Sequence, residues 1–169
     1  MSVTIIILIG LAIVFDFLNG VHDSSNIVAT MISSRAISPR MAMAITAIAE
    51  FSGPFIFGVA VANTIGNDIV DSQQLNMLVI IAALLSAIVW NIATWLLGIP
   101  SSSSHALIGG IIGSVVAGAG FQVIKVDGVI KVLISLFASP LIGFIAGMLI
   151  ANLVFLLSWK STPKVNGVF

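Results

Sequence analysis

Long apolar blocks, separated by short polar stretches, dominate the pattern of this chain. A helix needs about 20 mostly apolar residues to cross the hydrocarbon core of a bilayer, and the pattern predicts five helical segments of at least that length. They are 3–34, 41–62, 75–97, 98–119 and 132–157. No stretch shows the period-two alternation of a membrane β-strand. The pattern therefore predicts an all-α polytopic membrane protein, with residues 1–169 forming a single transmembrane domain.

The boundary between the third and fourth segments is set by residue types that end and begin helices. Residues 75–119 contain no charged side chain, which is too long a run for one crossing at about 1.5 Å per residue. Gly98 and Pro100 are stop signals for a helix, and the serines that follow are preferred N-caps. We therefore expect the chain to break there.

The basic residues indicate an orientation. If every segment crosses once, four bases fall on one side of the membrane and two on the other. The four are Arg35, Arg40, Lys160 and Lys164, and the two are Lys125 and Lys131. The positive-inside rule predicts that the side with four is cytoplasmic. A re-entrant hairpin in place of one crossing stays an open alternative, above all for 20–34 and 98–119.

Composition agrees with a membrane protein and excludes several other classes. The chain is 59% hydrophobic and 7% charged, whereas soluble domains carry about 25% charged residues. With no cysteine and a formal net charge of zero, neither a thiolate metal site nor a basic surface for nucleic acid is expected. The first apolar run has no preceding Lys or Arg, unlike a signal peptide, so we expect it to remain in the membrane.

A polar stripe runs along the first segment. Its members follow one another at spacings of three and four residues, which places them on one helical face. They are Asp16, Asn19, Asp23, Asn26 and Thr30. Carboxylates within a membrane are costly and usually face a bundle interior or a watery cavity. Hydrogen bonding to neighbouring helices is the alternative. His22 lies off the stripe and is expected to be an ordinary hydrogen-bonded histidine.

The second segment carries a carboxylate beside a proline. Thr46 and Glu50 are one turn apart and share a face. Pro54 has no N–H to donate to the carbonyl of Glu50, so a carboxylate and a free carbonyl lie at one level. Oxygen ligands of this kind bind Na⁺ in transporters. The alternative is a kinked helix with a protonated, packed Glu50.

The third constellation is the serine run that follows Pro100. A helix beginning at these serines presents free N–H groups, hydroxyls and the positive end of its dipole within apolar sequence, which is an arrangement that binds anions. Because no Lys or Arg occurs between Arg40 and Lys125, a basic side chain from this region cannot neutralise the anion. Cations or protons carried by Asp23 and Glu50 would do so, and this balance predicts cation-coupled anion symport. The alternative is that the serines only cap a helix.

Two motifs resemble the signatures of the Pit-type inorganic phosphate transporter family. Residues 20–26 read GVHDSSN, close to the signature G-x-N-D-x-x-N with His22 in place of Asn, and Glu50 matches its downstream Glu. Residues 100–109 read PSSSSHALIG, which matches P-x-S-S/T-S/T-H-A-L-x-G. The departure at His22 leaves open whether that position is a ligand.

The resemblance implies an inorganic phosphate transporter driven by Na⁺ or H⁺ and built from two inverted repeats, of which this chain matches the amino-terminal one. The residues expected to bind phosphate are Ser101, Ser102, Ser103, Ser104 and Asn26. Those expected to bind the cation are Asp23, Glu50, Asn19 and Thr46, with Na⁺ at Asp23 and Glu50. No cofactor is expected beyond the co-transported ion. The expected partners are phosphate, the ion, the lipid of the cell membrane, and a second repeat or second copy of the chain.

Three other functions compete with phosphate symport. A permease for sulfate or another oxyanion would use similar donors, and a cation channel or exchanger would need no anion. A serine hydrolase would pair Ser101 with His105, one turn apart. That reading is disfavoured because the chain has no G-x-S-x-G elbow and offers no clear group to orient the histidine. We therefore predict that the protein is not an enzyme.

Overall fold

The described part of the chain is helical. The computed structural model describes residues 2–35, 37–58, 67–71 and 75–159. Within these ranges five α-helices of 17 residues or more are present. They are α1 (Val3–Ser33), α2 (Pro39–Phe57), α3 (Met77–Leu97), α4 (Ser103–Ala119) and α5 (Val126–Ser158), with a short 3-10 helix at Phe121–Val123. The only β-pairing in the described ranges is an isolated bridge between Val70 and Ile124. The all-α fold class is confirmed.

Three of these helices are long and apolar enough to cross a bilayer. They are α1, α3 and α5, whereas α4 is apolar but shorter, at 17 residues. At about 1.5 Å per residue, α4 falls short of the roughly 30 Å hydrocarbon core, while α1 and α5 exceed it. The chain is therefore a multi-pass membrane protein.

The helix boundaries follow from local capping chemistry. Ser38 accepts a hydrogen bond from the backbone N–H of Met41, with Pro39 at the start of α2. Ser102 accepts one from the N–H of His105 at the start of α4. These side chains satisfy N–H groups that have no partner inside the helix.

Several helix ends lie away from the expected segment ends. Gly98 adopts a left-handed conformation (φ 64°, ψ 28°) that closes α3, so α4 starts at Ser103 rather than at 98. The helix α5 starts at Val126, which places Asp127 and Lys131 in the helix rather than in a loop. Asp127 in the first turn lies near the positive end of the helix dipole.

Two stretches of the predicted pattern lie partly outside the described residues. The second predicted segment reaches residue 62, whereas α2 ends at Phe57 and residues 59–62 are not described. Pro54 lies inside α2, which continues past it. Lys160 and Lys164, used for the orientation, are also outside the described ranges.

The chain divides into two compact units, residues 1–128 and 129–169. In the first unit, α1 contacts α2, α3 and α4, and the antiparallel helices α3 and α4 form a closely packed hairpin. A Cβ at Gly110 of α4 would lie 2.6 Å from the carbonyl oxygen of Ala83 on α3. Only glycine fits such a close approach. The second unit consists of α5 beyond its first turn and the tail.

Residues 67–71 pack against the segment that precedes α5. The N–H of Lys125 donates to the carbonyl of Ile69 at 2.9 Å, and Lys125 Nζ donates to the carbonyl of Asn67 at 2.8 Å. Ile69 and Val70 are fully buried. The sequence pattern predicts only a polar loop here, and packing of these two apolar residues ties the loop to the end of the hairpin.

Candidate functional site

The polar stripe lies on one continuous helix. All five of its members fall within α1, which passes through Gly20 without a break. Asn19 and Asp23 are half-buried, while Asp16, Asn26 and Thr30 are exposed. The stripe therefore lies along an open side of the first unit.

Two hydrogen bonds on either side of Asp23 fix the rotation of α1. His22 Nε2 lies 2.9 Å from the backbone carbonyl oxygen of Asn91 on α3, and this contact is buried. Ser24 Oγ donates to both carboxylate oxygens of Glu50 on α2, at 3.3 Å each. Successive residues of a helix are rotated by about 100° about its axis. Viewed along the axis of α1, the centre of the stripe therefore lies roughly 80° from His22 and at a larger angle from Ser24. His22 is thus a satisfied hydrogen bonder, as expected for a residue off the stripe.

Glu50 and Thr46, the polar residues expected on one face of the second segment, lie on α2, and Glu50 contacts α1. Thr46, one turn earlier on the same face of α2, is 4% exposed, and its hydroxyl has no hydrogen-bond partner among the described residues. Glu50 itself is exposed. Within the described ranges the hydrogen-bond partner of its carboxylate is Ser24, and no hydrogen bond joins it to Asp23.

The four serines between α3 and α4 have different surroundings. Ser101 Oγ accepts a hydrogen bond of 2.9 Å from Trp90 Nε1, and Ser102 Oγ caps α4 through the N–H of His105. Ser103 is fully buried, and its hydroxyl has no partner among the described residues. Ser104 is exposed. The first two serines therefore hold the turn, while the hydroxyls of the last two make no hydrogen bond within the described part of the chain.

The structure does not bring every expected ligand together. Within the described part of the chain, no hydrogen bond joins Asp23 or Glu50 to the serines. The helix α1 is the common element, because it contacts α2, which carries Glu50, and also α3 and α4, which flank the serines. What the geometry provides is an acidic region on α1 and α2 and an uncharged donor region on the α3–α4 hairpin, where α3 packs against the start of α4.

Sequence reasoning missed two residues of this region. Ser24 lies inside the first motif and contacts Glu50, whereas the helical spacing of the polar residues indicates its neighbour Asp23. Asn91 is fully buried in α3, within a stretch that has no charged side chain. The signal for Asn91 was present, since an amide in the middle of an apolar helix needs partners.

Comparison with known proteins decides the family. A model of the phosphate transporter family matches residues 19–168. The chain belongs to this family. The resemblance inferred from the two motifs is thereby confirmed, since residues 20–26 and 100–109 both lie within the match.

Similar proteins are described as phosphate transporters. The chain is 46% identical over 169 residues to a probable low-affinity inorganic phosphate transporter of Bacillus subtilis, covering 98% of this chain and 50% of that protein. It is 37% identical to the low-affinity inorganic phosphate transporter PitA of Escherichia coli, covering 95% of this chain and 35% of that one. A solved structure described as the sodium-dependent phosphate transporter aligns with a TM-score of 0.83 at 27% identity, over 98% of this chain and 42% of that chain. The chain thus spans half or less of the length of these three relatives.

Proposed function

We propose that this chain forms one half of an inorganic phosphate transporter that couples phosphate uptake to Na⁺ or H⁺. The observation that carries the proposal is the start of α4. There the buried Ser103 hydroxyl has no partner among the described residues, and the helix begins with free N–H groups in a membrane segment without basic side chains. Such a site binds an anion through hydrogen bonds and the helix dipole.

The proposed cation ligands are Asp23 and Glu50, assisted by Asn19 and Thr46. Ser24 orients the Glu50 carboxylate, and the Thr46 hydroxyl lies one turn away on the same face. The stretch between Arg40 and Lys125 contains no Lys or Arg. The negative charge of phosphate is therefore compensated by a bound cation or proton. The name of the sodium-dependent structural relative makes Na⁺ the first ion to test.

The proposed partner is a second repeat or a second copy of this chain. Asp16, Asn26 and Thr30 are exposed on α1, and carboxylates and amides in a bilayer normally face protein or a watery cavity. A second half placed against this side would supply that environment and complete the site.

The function is tested by uptake of labelled phosphate into proteoliposomes that contain the assembled transporter. We expect uptake when an inward Na⁺ or H⁺ gradient is imposed and little without either. Ser103→Ala and Glu50→Gln are each expected to abolish uptake, since one removes the donor to the anion and the other the charge that binds the cation.

Two matched variants control for general damage. Ser114→Ala removes a hydroxyl of α4 that bonds to the carbonyl of Ile111 in its own helix, and Asp127→Asn neutralises an exposed carboxylate of α5. Both are expected to retain uptake. Phosphate uptake that ignores both gradients would defeat the coupling, and a Na⁺ flux that needs no phosphate would favour a channel or exchanger.

A further inference from the structure

Asn91 is a buried amide with unused hydrogen-bonding capacity. Its side chain is 0% exposed, and neither Nδ2 nor Oδ1 has a partner among the described residues. Burying an amide without hydrogen bonds costs about 1–3 kcal/mol in proteins. The neighbouring buried polar side chain on α3, Thr94, has no such deficit, because its hydroxyl donates to the carbonyls of Trp90 and Asn91. The unsatisfied amide is therefore a specific feature of Asn91.

The register of the α3–α4 hairpin places Ser103 level with Asn91. Gly110 of α4 lies against Ala83 and Ser86 of α3. Two turns, or about seven residues, lead from Gly110 back to Ser103, and the same distance leads along α3 from 83–86 to 90–93. The two fully buried residues with unpartnered side chains in this hairpin therefore lie at the same level along it.

Two further hydrogen bonds support this placement. Trp90, the residue before Asn91, donates to Ser101, two residues before Ser103. On the other side, the backbone carbonyl of Asn91 meets His22 of α1. Asn91 thus lies in the interior bounded by α1, α3 and the start of α4, where phosphate is proposed to bind.

We propose that Asn91 is a specificity-determining residue that selects oxyanions carrying a proton. The inference rests on the proposed function and deepens it. The amide is both donor and acceptor: Nδ2, together with the Ser103 hydroxyl, donates to unprotonated oxygens of the anion, while Oδ1 accepts a hydrogen bond from a P–OH group. Inorganic phosphate carries at least one such proton near neutral pH.

Sulfate would be rejected by the same group. It has the shape of phosphate but no proton near neutral pH, so it leaves the Oδ1 acceptor unpaired and facing a negatively charged oxygen. A site that hydrogen-bonds a hydroxyl group of its substrate discriminates strongly against analogues without that hydroxyl. A site that selects by size alone discriminates far less. Arsenate keeps the proton and is the matched anion for comparison.

The test compares arsenate with sulfate as competitors of labelled phosphate uptake by the assembled transporter. In the wild type we expect arsenate to compete and a large excess of sulfate to compete weakly. In Asn91→Ala the ratio of the sulfate to the arsenate inhibition constant is expected to fall at least about tenfold, since loss of one unsatisfied buried acceptor is worth about that factor. The control Thr94→Val removes a buried hydroxyl already bonded within α3 and should leave the ratio unchanged.

A second measurement covers the event that Asn91→Ala does not fold. Thermal unfolding of the purified wild-type transporter should shift upward with phosphate and with arsenate but not with sulfate. Equal stabilisation by sulfate, or an unchanged inhibition ratio in Asn91→Ala, would overturn the role of Asn91. These outcomes differ from failure of the proposed function, in which the wild type takes up no phosphate under any gradient.

Discussion

The acidic region and the donor region differ in the charge of their polar groups and in how deeply those groups are buried. In the acidic region, on α1 and α2, Asp23 is half-buried and Glu50 is exposed. In the donor region, on the α3–α4 hairpin, Asn91 and Ser103 are fully buried and uncharged. A buried unpaired charge costs far more than a buried amide or hydroxyl. The acids Asp23 and Glu50 therefore lie at partly or fully exposed positions of the first unit, while the neutral Asn91 and Ser103 occupy its packed interior.

We expect the greatest change in stability when a charged side chain replaces a neutral one in the donor region. Asn91→Asp places a carboxylate at a fully buried position of the donor region and should destabilise the protein by several kcal/mol or prevent its assembly, because the α3–α4 hairpin contains no Lys or Arg to pair with it. Thermal unfolding in detergent measures this. The reverse change on the acidic side, Asp16→Asn at an exposed position, should leave stability nearly unchanged. A stable, folded Asn91→Asp protein at neutral pH would show that the interior of the hairpin admits charge.

A smaller effect is expected from widening the hairpin that forms the donor region. Gly110→Ala brings a Cβ to 2.6 Å from the carbonyl oxygen of Ala83, so the helices must separate, at a cost of about 1–3 kcal/mol. Unfolding measurements should compare it with Gly109→Ala, where a Cβ meets nothing within 4 Å. Because alanine favours helix over glycine, the Gly109 variant should be neutral or slightly stabilised. Equal stability of the two variants would mean that the close approach at Gly110 contributes nothing.

The smallest effect concerns the link between α1 and α2. Ser24→Ala removes the hydroxyl that donates to both oxygens of Glu50, whose side chain is exposed. We expect little change in stability and a several-fold rise in the cation concentration that half-saturates phosphate uptake. The control is Ser33→Ala, whose hydroxyl bonds to the carbonyl of Thr30 in its own helix. An unaltered cation dependence in Ser24→Ala would separate this serine from the cation site.

Local rules were sufficient for much of the fold. The break after α3 was predictable because Gly98 and Pro100 end helices by their own backbone chemistry, and the structure has the αL glycine there. The start of α5 was missed because hydropathy places Asp127 and Lys131 outside an apolar segment. A helix extends beyond the apolar core wherever its first turn is capped or carries a suitable charge.

The candidate site was predictable only in part. Asp23, Glu50 and the serines stood out because acids and hydroxyls are rare in apolar segments. Ser24 did not, since its importance comes from its contact with Glu50, a residue of another helix. The four serines looked alike in sequence, and only their neighbours, such as Trp90 for Ser101, distinguish them.

Hydropathy and two short motifs were enough to identify this chain as a helical membrane protein of the phosphate transporter family, with acids along one face of α1 and serines at a helix start. These properties depend on hydropathy, on periodicity and on short motifs, which act over one or two helical turns. Which polar groups are buried together depends instead on how the helices pack. The rotation of each helix and its close contacts, such as Gly110 against Ala83, arise from packing between residues far apart in the chain. That packing is why Asn91 lies at the same level of the hairpin as Ser103.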